Sequence, residues 1–398
     1  MNKLNFKKFF VIFLFYVLLL VCFIFVNYFL SSDNKDFLYK YQWSLYNDGS
    51  LAIDRSKISI SKPIDVIEKN ETEPILDNIS DDNIFQSIEN VDINIEKAWD
   101  IYERIKNKNE IIIAVIDTGI YINHYELLNG IFYNKNEIIN GIDDDGNGYV
   151  DDINGWNFCD NNNEVFTDGI IDSHGTHVAG QIISARQNGG IKGICNNKYV
   201  KILPIKILGE GEHGDTKDLV SAIKYAEDMG VSICNISLGT YEYNEELEVA
   251  IKNSNMLFVV ACGNGLNNKG LSTDIYKSYP ASFTFDNVLS VGNLMFDKTA
   301  SESSNYGLKT VSIFAPGTYI LSTIPYDKFA FQTGSSMAAP IVTAVAGMVM
   351  SLDMNFKANE VKNLILENVT KVESLKDKCV SGGYINAGKI FEKIIDKN

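Results

Sequence analysis

Five short, largely apolar runs constrain the fold of this chain most: residues 111–116, 202–207, 231–236, 257–261 and 288–291. Such runs are what strands buried on both faces look like, because neither face has to meet water. Between two of them Leu219, Ile223, Ala226 and Met229 recur at helical spacing. Strands alternating with helices predict a mostly parallel sheet covered by helices on both faces, in one large α/β domain. The chain has 398 residues, 45% hydrophobic and 22% charged, so a sizeable core is available and wholesale disorder is excluded. No internal repeat interrupts the pattern.

Charge narrows the choice of partner. Thirty-five Lys and Arg face 51 Asp and Glu, a net charge of −16, which leaves no basic footprint for a nucleic acid. Residues 9–30 form a 22-residue run without a charge, preceded by Lys3, Lys7 and Lys8. That is long enough to cross a bilayer, and the lysines put everything after residue 30 outside the cytoplasm. Two outcomes stay open: an uncleaved anchor at the cell membrane, or a signal segment cleaved near Ser31 with the rest secreted. The expected organisation is a membrane segment over 1–32, a polar acidic extension or linker over 33–90, and the α/β domain over 91–398. Six Cys are too sparse for a disulfide scaffold and predict mostly buried free thiols.

Three Gly-rich motifs carry the chemistry. Asp117-Thr118-Gly119 closes the first apolar run, placing a carboxylate at the carboxyl edge of a strand, where α/β sheets hold ligands. Ser173-His174-Gly175-Thr176-His177-Val178-Ala179-Gly180 predicts a helix with His174 at its exposed N-terminal end. Gly334-Ser335-Ser336-Met337-Ala338-Ala339-Pro340 leads into an apolar helix. Pro340 is expected in its first turn, and Ser336 at the helix N-terminus, where free N–H groups can steady an oxyanion. Taken singly, each reads equally as a turn or helix cap; the paired histidines also leave metal ligation open.

Together, in the chain order Asp, His, Ser, the motifs resemble those of the subtilisin-like serine proteases. The resemblance runs from about Gln42-Trp43, and continuously from Val91, to the Ser381-Gly382-Gly383-Tyr384-Ile385-Asn386-Ala387 ending. It implies that Ser336 is the nucleophile, His174 the general base and acid, and Asp117 the carboxylate that orients the imidazole. Ala261-Cys262-Gly263-Asn264-Gly265 looks like the family's oxyanion motif, with the Asn264 amide joining the Ser336 backbone N–H; Cys262 is expected to be a buried small side chain. Ser237-Leu238-Gly239 is similar to the substrate-pairing segment, and Glu212-His213-Gly214 to the opposite edge strand, so that a peptide binds between them as an added strand. Tyr279-Pro280 resembles the family's pair at the base of the S1 pocket, which implies uncharged Ser278 there. Asp172, two residues before His174, falls where the family lines S2. It is expected either to attract a cationic P2 side chain or to cap the helix that follows.

A separate acidic loop, Asp143-Asp144-Asp145-Gly146-Asn147-Gly148-Tyr149-Val150-Asp151, follows an EF-hand register. Asp143, Asp145, Asn147, Tyr149 and Asp151 occupy positions 1, 3, 5, 7 and 9, with Gly148 at 6. Asn154 replaces the glutamate at 12. A structural Ca2+ is expected there, and Glu126 matches a further acid of the family's calcium sites. The sequence thus predicts an extracytoplasmic, calcium-stabilised serine endopeptidase acting on proteins or peptides. A catalytically silent binding module built on the same groove is the alternative from another class.

Overall fold

The computed structural model describes residues 36–54, 57, 63–68, 84–209 and 214–396. The apolar run 9–30, and Glu212 and His213 of the expected edge strand, lie outside them. Among the described residues no helix is long and apolar enough to cross a membrane.

The extension carries β1 (Ala52–Asp54), β2 (Ile64–Ile67) and β3 (Ile84–Gln86). After α1 (Ile95–Arg104) come β4 (Ile111–Asp117), β5 (Trp156–Asn157), α2 (Ser173–Ile183), β6 (Val200–Lys206), α3 (Thr216–Asp228) and β7 (Ile233–Ile236). The order continues with α4 (Glu245–Asn253), β8 (Leu257–Ala261), β9 (Val288–Leu294), β10 (Ile313–Pro316), β11 (Ile320–Ile324), β12 (Lys328–Gln332) and α5 (Ser335–Met350). It ends with α6 (Ala358–Glu367), β13 (Thr370–Lys371), β14 (Gly383–Tyr384) and α7 (Ala387–Ile395).

Among the described residues, nine strands form the central sheet in the order β13-β14-β10-β9-β8-β7-β4-β6-β5. Every pairing but β13 with β14 is parallel. Alternate residues of β4 explain why its sequence is apolar throughout. Ile111, Ile113 and Val115 join the core beneath α2 and α5, whereas Ala114 and Ile116 join the core beneath α3 and α4. Cutting one such side chain back to alanine costs about 2–5 kcal/mol, so both faces hold the sheet in place. The chain enters the sheet at β4, runs to the edge strand β5 and back to β6 on one side, then crosses to β7 on the other. That reversal makes the carboxyl end of β4 a topological switch point, the place where open α/β sheets bind ligands, and Asp117 stands on it.

The region expected as a plain linker contains more structure than its sequence suggested. β1 pairs with β3, and β2 adds an antiparallel third strand to the β11–β12 hairpin, with Ile64 opposite Phe331 and Ile67 opposite Phe329. Ile67 is fully buried, and Asp65 accepts a hydrogen bond from Tyr319 Oη at 2.6 Å. Strands of three or four residues are too short to show a period of two, and their partners lie more than 250 residues away in sequence for β2.

Candidate active site

Three element ends converge on one cleft of about 440 Å3 whose walls include His174, Asn264 and Ser336. Asp117 is the last residue of β4 and is 1% exposed. His174 is the second residue of α2, and its Nδ1 lies 2.7 Å from Asp117 Oδ1. The same carboxylate oxygen accepts the Thr118 N–H at 2.8 Å. The strand end and the helix start can approach this closely because residue 175 is glycine: a Cβ there would meet the Gly119 carbonyl oxygen at 2.2 Å. Thr118 Oγ1 in turn accepts the Gly175 N–H at 3.0 Å.

Ser336 stands in the first turn of α5, and its hydroxyl donates to the Ser237 carbonyl at 2.9 Å. Ser237 answers by donating its own hydroxyl to the Ser336 carbonyl at 3.0 Å. The position of Pro340 differs from the sequence expectation. The helix begins at Ser335, so Pro340 is its sixth residue and lies past the first turn. Proline has no N–H for the carbonyl four residues back, which is that of Ser336, and the Ser237 hydroxyl takes this place. Asn235 Nδ2 reaches Ser237 Oγ at 3.0 Å and Thr343 Oγ1 donates to Asn235 Oδ1 at 2.7 Å, extending the chain of bonds into the core.

Asn264 is oriented by its neighbour. Its Oδ1 accepts both the backbone N–H and the hydroxyl of Ser335, at 2.9 and 3.1 Å. Asn264 Nδ2 and the Ser336 backbone nitrogen both lie beside Gly334: a Cβ there would meet them at 3.2 and 3.7 Å. Cys262 is buried, and loss of water around it pushes its thiol up to about 12, so it stays protonated. Cys195, Cys234 and Cys379 are likewise buried free thiols, and Cys159 is exposed.

Gly214, Ser237, Leu238, Gly239 and Ser278 line the same cleft, with Asp215 the one acidic side chain among its described walls. Tyr279-Pro280 is a cis peptide. The expectation for Asp172 fails. It is fully buried and ion-paired at 2.6 Å with Lys206 Nζ, so it presents no charge to a P2 side chain. Nor does its side chain cap α2: Oδ2 accepts the N–H groups of Thr167 and Asp168, at 2.5 and 3.0 Å. Sequence reading missed Lys206, although it is the sole basic residue in the run 202–207.

The acidic loop also departs from the EF-hand register. Glu137, Asp145 and Asp152 bring carboxylate oxygens within 4.8 Å of one another. Asp143 instead folds back on the N–H groups of Gly146, Asn147 and Gly148, and Asp151 takes those of Asn140 and Gly141. Tyr149 packs its ring on Trp156 and Tyr225, at 5.0 and 4.7 Å between centroids. Asn147 stays in touch with the cluster through Asp152 Oδ2. Without flanking helices the loop closes on itself, and an EF-hand register counted along the sequence has nothing to enforce it. The cluster's chemistry fits a hard cation. Its donors are all oxygen, Glu137 and Asp152 are buried, and among the described residues none of the three pairs with a lysine or arginine.

Glu126 is buried elsewhere, against the loop 187–192. Its carboxylate accepts from Asn188 Nδ2 at 3.0 Å and the Ile191 N–H at 3.3 Å, and burial raises its pKa to about 8. Beside it Asn188 Oδ1 is shielded from solvent without a hydrogen-bond partner, an orphaned oxygen that fits a cation as well.

Comparison with known proteins decides the family. Residues 108–383 match the model of the subtilase family, Peptidase S8. The chain belongs to the subtilase family. It is 33% identical over 302 residues to subtilisin-like protease 1 of Plasmodium vivax, covering 71% of this chain and 47% of that protein. To the major intracellular serine protease of Bacillus subtilis (strain 168) it is 34% identical over 266 residues, covering 66% and 75%. The chain thus spans about half the length of the Plasmodium subtilisin-like protease 1 sequences it matches. Among solved structures, a cold-adapted subtilisin-like serine proteinase superposes with a TM-score of 0.53 at 23% identity, over 70% of this chain and 96% of that one. A chain from the subtilase cytotoxin SubAB assembly gives 0.62 at 21% identity, over 77% and 96%. Both share the subtilisin-like α/β fold.

Proposed function

We propose that this subtilase is a serine endopeptidase that hydrolyses proteins or peptides through an acyl-enzyme on Ser336. The observation that carries the reading is the 2.7 Å contact between His174 Nδ1 and Asp117 Oδ1 on the wall of the cleft that Ser336 shares. With Nδ1 donating to the buried carboxylate, Nε2 is the ring nitrogen that takes the Ser336 proton as Oγ attacks the scissile carbonyl. Asp117 stabilises the imidazolium; the proton then passes to the leaving amine. The oxyanion is held by the Ser336 N–H and Asn264 Nδ2. An incoming peptide that pairs with Ser237 competes for the carbonyl that the Ser336 hydroxyl now contacts, and so turns that hydroxyl toward His174. The test is amide hydrolysis by wild type and Ser336→Ala. The variant is expected to lose about 10⁶ in kcat, a figure taken from subtilisin, a member of the same family. Equal turnover refutes the reading.

Calcium stabilisation belongs to the same proposal. Glu137, Asp145 and Asp152 would hold one ion, with Glu126 and Asn188 as a second candidate pair. An ion there supplies positive charge to buried carboxylates and ties surface loops to the domain. The extracytoplasmic location rests on the 9–30 run and the lysines before it, which favour a membrane-attached enzyme with its catalytic domain outside; secretion after cleavage is the alternative.

A further inference from the structure

We infer that Lys206 is a positioning residue for the catalytic histidine, acting through its buried ion pair with Asp172. Both side chains are essentially inaccessible, at 1% and 0% exposure. A buried ammonium is costly unless every proton finds an acceptor. Lys206 Nζ meets that demand with three partners from three different segments: the Thr118 carbonyl, Asp172 Oδ1 at 2.6 Å and the Leu208 carbonyl at 2.9 Å.

Those partners are not scattered. Thr118 follows Asp117 directly, and Asp172 precedes His174 by two residues. One ammonium therefore links the end of β4, which carries the triad carboxylate, to the entry of α2, which carries the imidazole. Asp172 transmits the restraint in both directions. Its side chain is fixed by the Thr167 and Asp168 N–H groups, while its backbone carbonyl accepts both the N–H and the hydroxyl of Thr176, at 3.2 and 2.7 Å. The third partner, Leu208, lines the substrate cleft, and the same ammonium thus also tethers the strand exit on its edge. The 2.7 Å Asp117–His174 contact is a distance between two separate chain segments, and this pair is a polar cross-link between them in addition to the Thr118–Gly175 bond. A misplacement of about 1 Å in a reacting group costs about 10²-fold in rate, so the clamp has leverage on catalysis without touching substrate.

The inference rests on the triad reading, and the test separates the two. Full-length wild type, Ser336→Ala, Lys206→Met, Asp172→Asn and the Lys206→Met/Asp172→Asn double variant are compared on a short peptide amide, with rates divided by titrated active sites, or by folded protein for Ser336→Ala. Lys206→Met is expected to lower kcat per titrated site by about 10- to 100-fold, with KM moving less than about threefold. In the double variant, where the positive and the negative charge are removed together, the acid limb of the kcat/KM profile should move to lower pH, because a looser Asp117 carboxylate favours the imidazolium less. Asp172→Asn should shift kcat the same way by a smaller factor. The double variant, which leaves no unpaired buried charge, should recover folded yield without recovering kcat. Should Lys206→Met give no titratable enzyme, the double variant decides. Wild-type kcat in either Lys206 variant, or an unmoved acid limb in the double variant, overturns the clamp while the triad stands. An inert wild type, or an active Ser336→Ala, overturns the triad and the clamp with it.

Discussion

Replacing Asn264 separates two consequences that a single deletion would confound. Its Nδ2 lies, like the Ser336 backbone nitrogen, beside Gly334, whereas its Oδ1 accepts two bonds from Ser335, whose side chain is fully buried. Asn264→Ala removes both functions. Losing one oxyanion donor is worth roughly 3 kcal/mol, a figure again drawn from subtilisin, and at about 1.36 kcal/mol per tenfold this is about 10²-fold in kcat. The stranded Ser335 N–H adds about 1–3 kcal/mol of lost stability. Asn264→Asp keeps the acceptor for Ser335 and replaces the donor with an oxygen that repels the developing charge. It should therefore melt close to wild type yet lose roughly 10³-fold or more in kcat. Steady-state kinetics per titrated site, alongside thermal unfolding, read both quantities. The reasoning is refuted if Asn264→Ala turns over within tenfold of wild type, or if the aspartate variant retains activity and loses stability.

Millimolar calcium should raise the melting temperature relative to EDTA, since an ion bound by the folded state alone stabilises it by mass action; Asp152→Asn should remove more of that increment than Asp143→Asn. Identical unfolding with and without calcium contradicts the site. His177 is fully buried, and desolvation lowers its pKa from 6.5 to about 3, with the charge of His174 adding to the effect. It stays neutral in the fold while the unfolded chain binds a proton below pH 6.5. Stability should therefore fall between pH 6.5 and about 3, by up to about 1.4 kcal/mol per pH unit, and His177→Gln should flatten that slope in denaturant titrations. The full-length protein should remain with membranes through high-salt and carbonate washes, and an added protease should reach the domain only from outside. A mature chain beginning near Ser32 contradicts an anchor.

Strands and helices were legible where burial on both faces left an uninterrupted apolar signature, as at 111–116 and 257–261, and where local cues set a boundary, as Asp117 and Ser173 do. Asp117, His174 and Ser336 could be singled out because each sits in its own short motif. What failed depended on contacts between segments. Asp172 looked like a pocket acid because its partner lies 34 residues away, at the end of β6. The acidic loop was read in its own register, whereas Glu137 and Asp152 meet only after the chain folds back over Asn134, which donates to both Asp145 and Asp152. β2 was hidden because its pairing partner is the hairpin that leads to Ser336.

Covalent trapping of the nucleophile tests the central claim most directly. Full-length protein treated with a serine-directed fluorophosphonate and analysed by intact and peptide mass spectrometry should carry one phosphonyl group per chain, on Ser336. Labelling should vanish in Ser336→Ala and slow sharply in His174→Ala, in step with loss of amide hydrolysis. Hydrolysis that persists with Ser336 unlabelled, or a label that settles on another residue as activity is lost, would contradict the account.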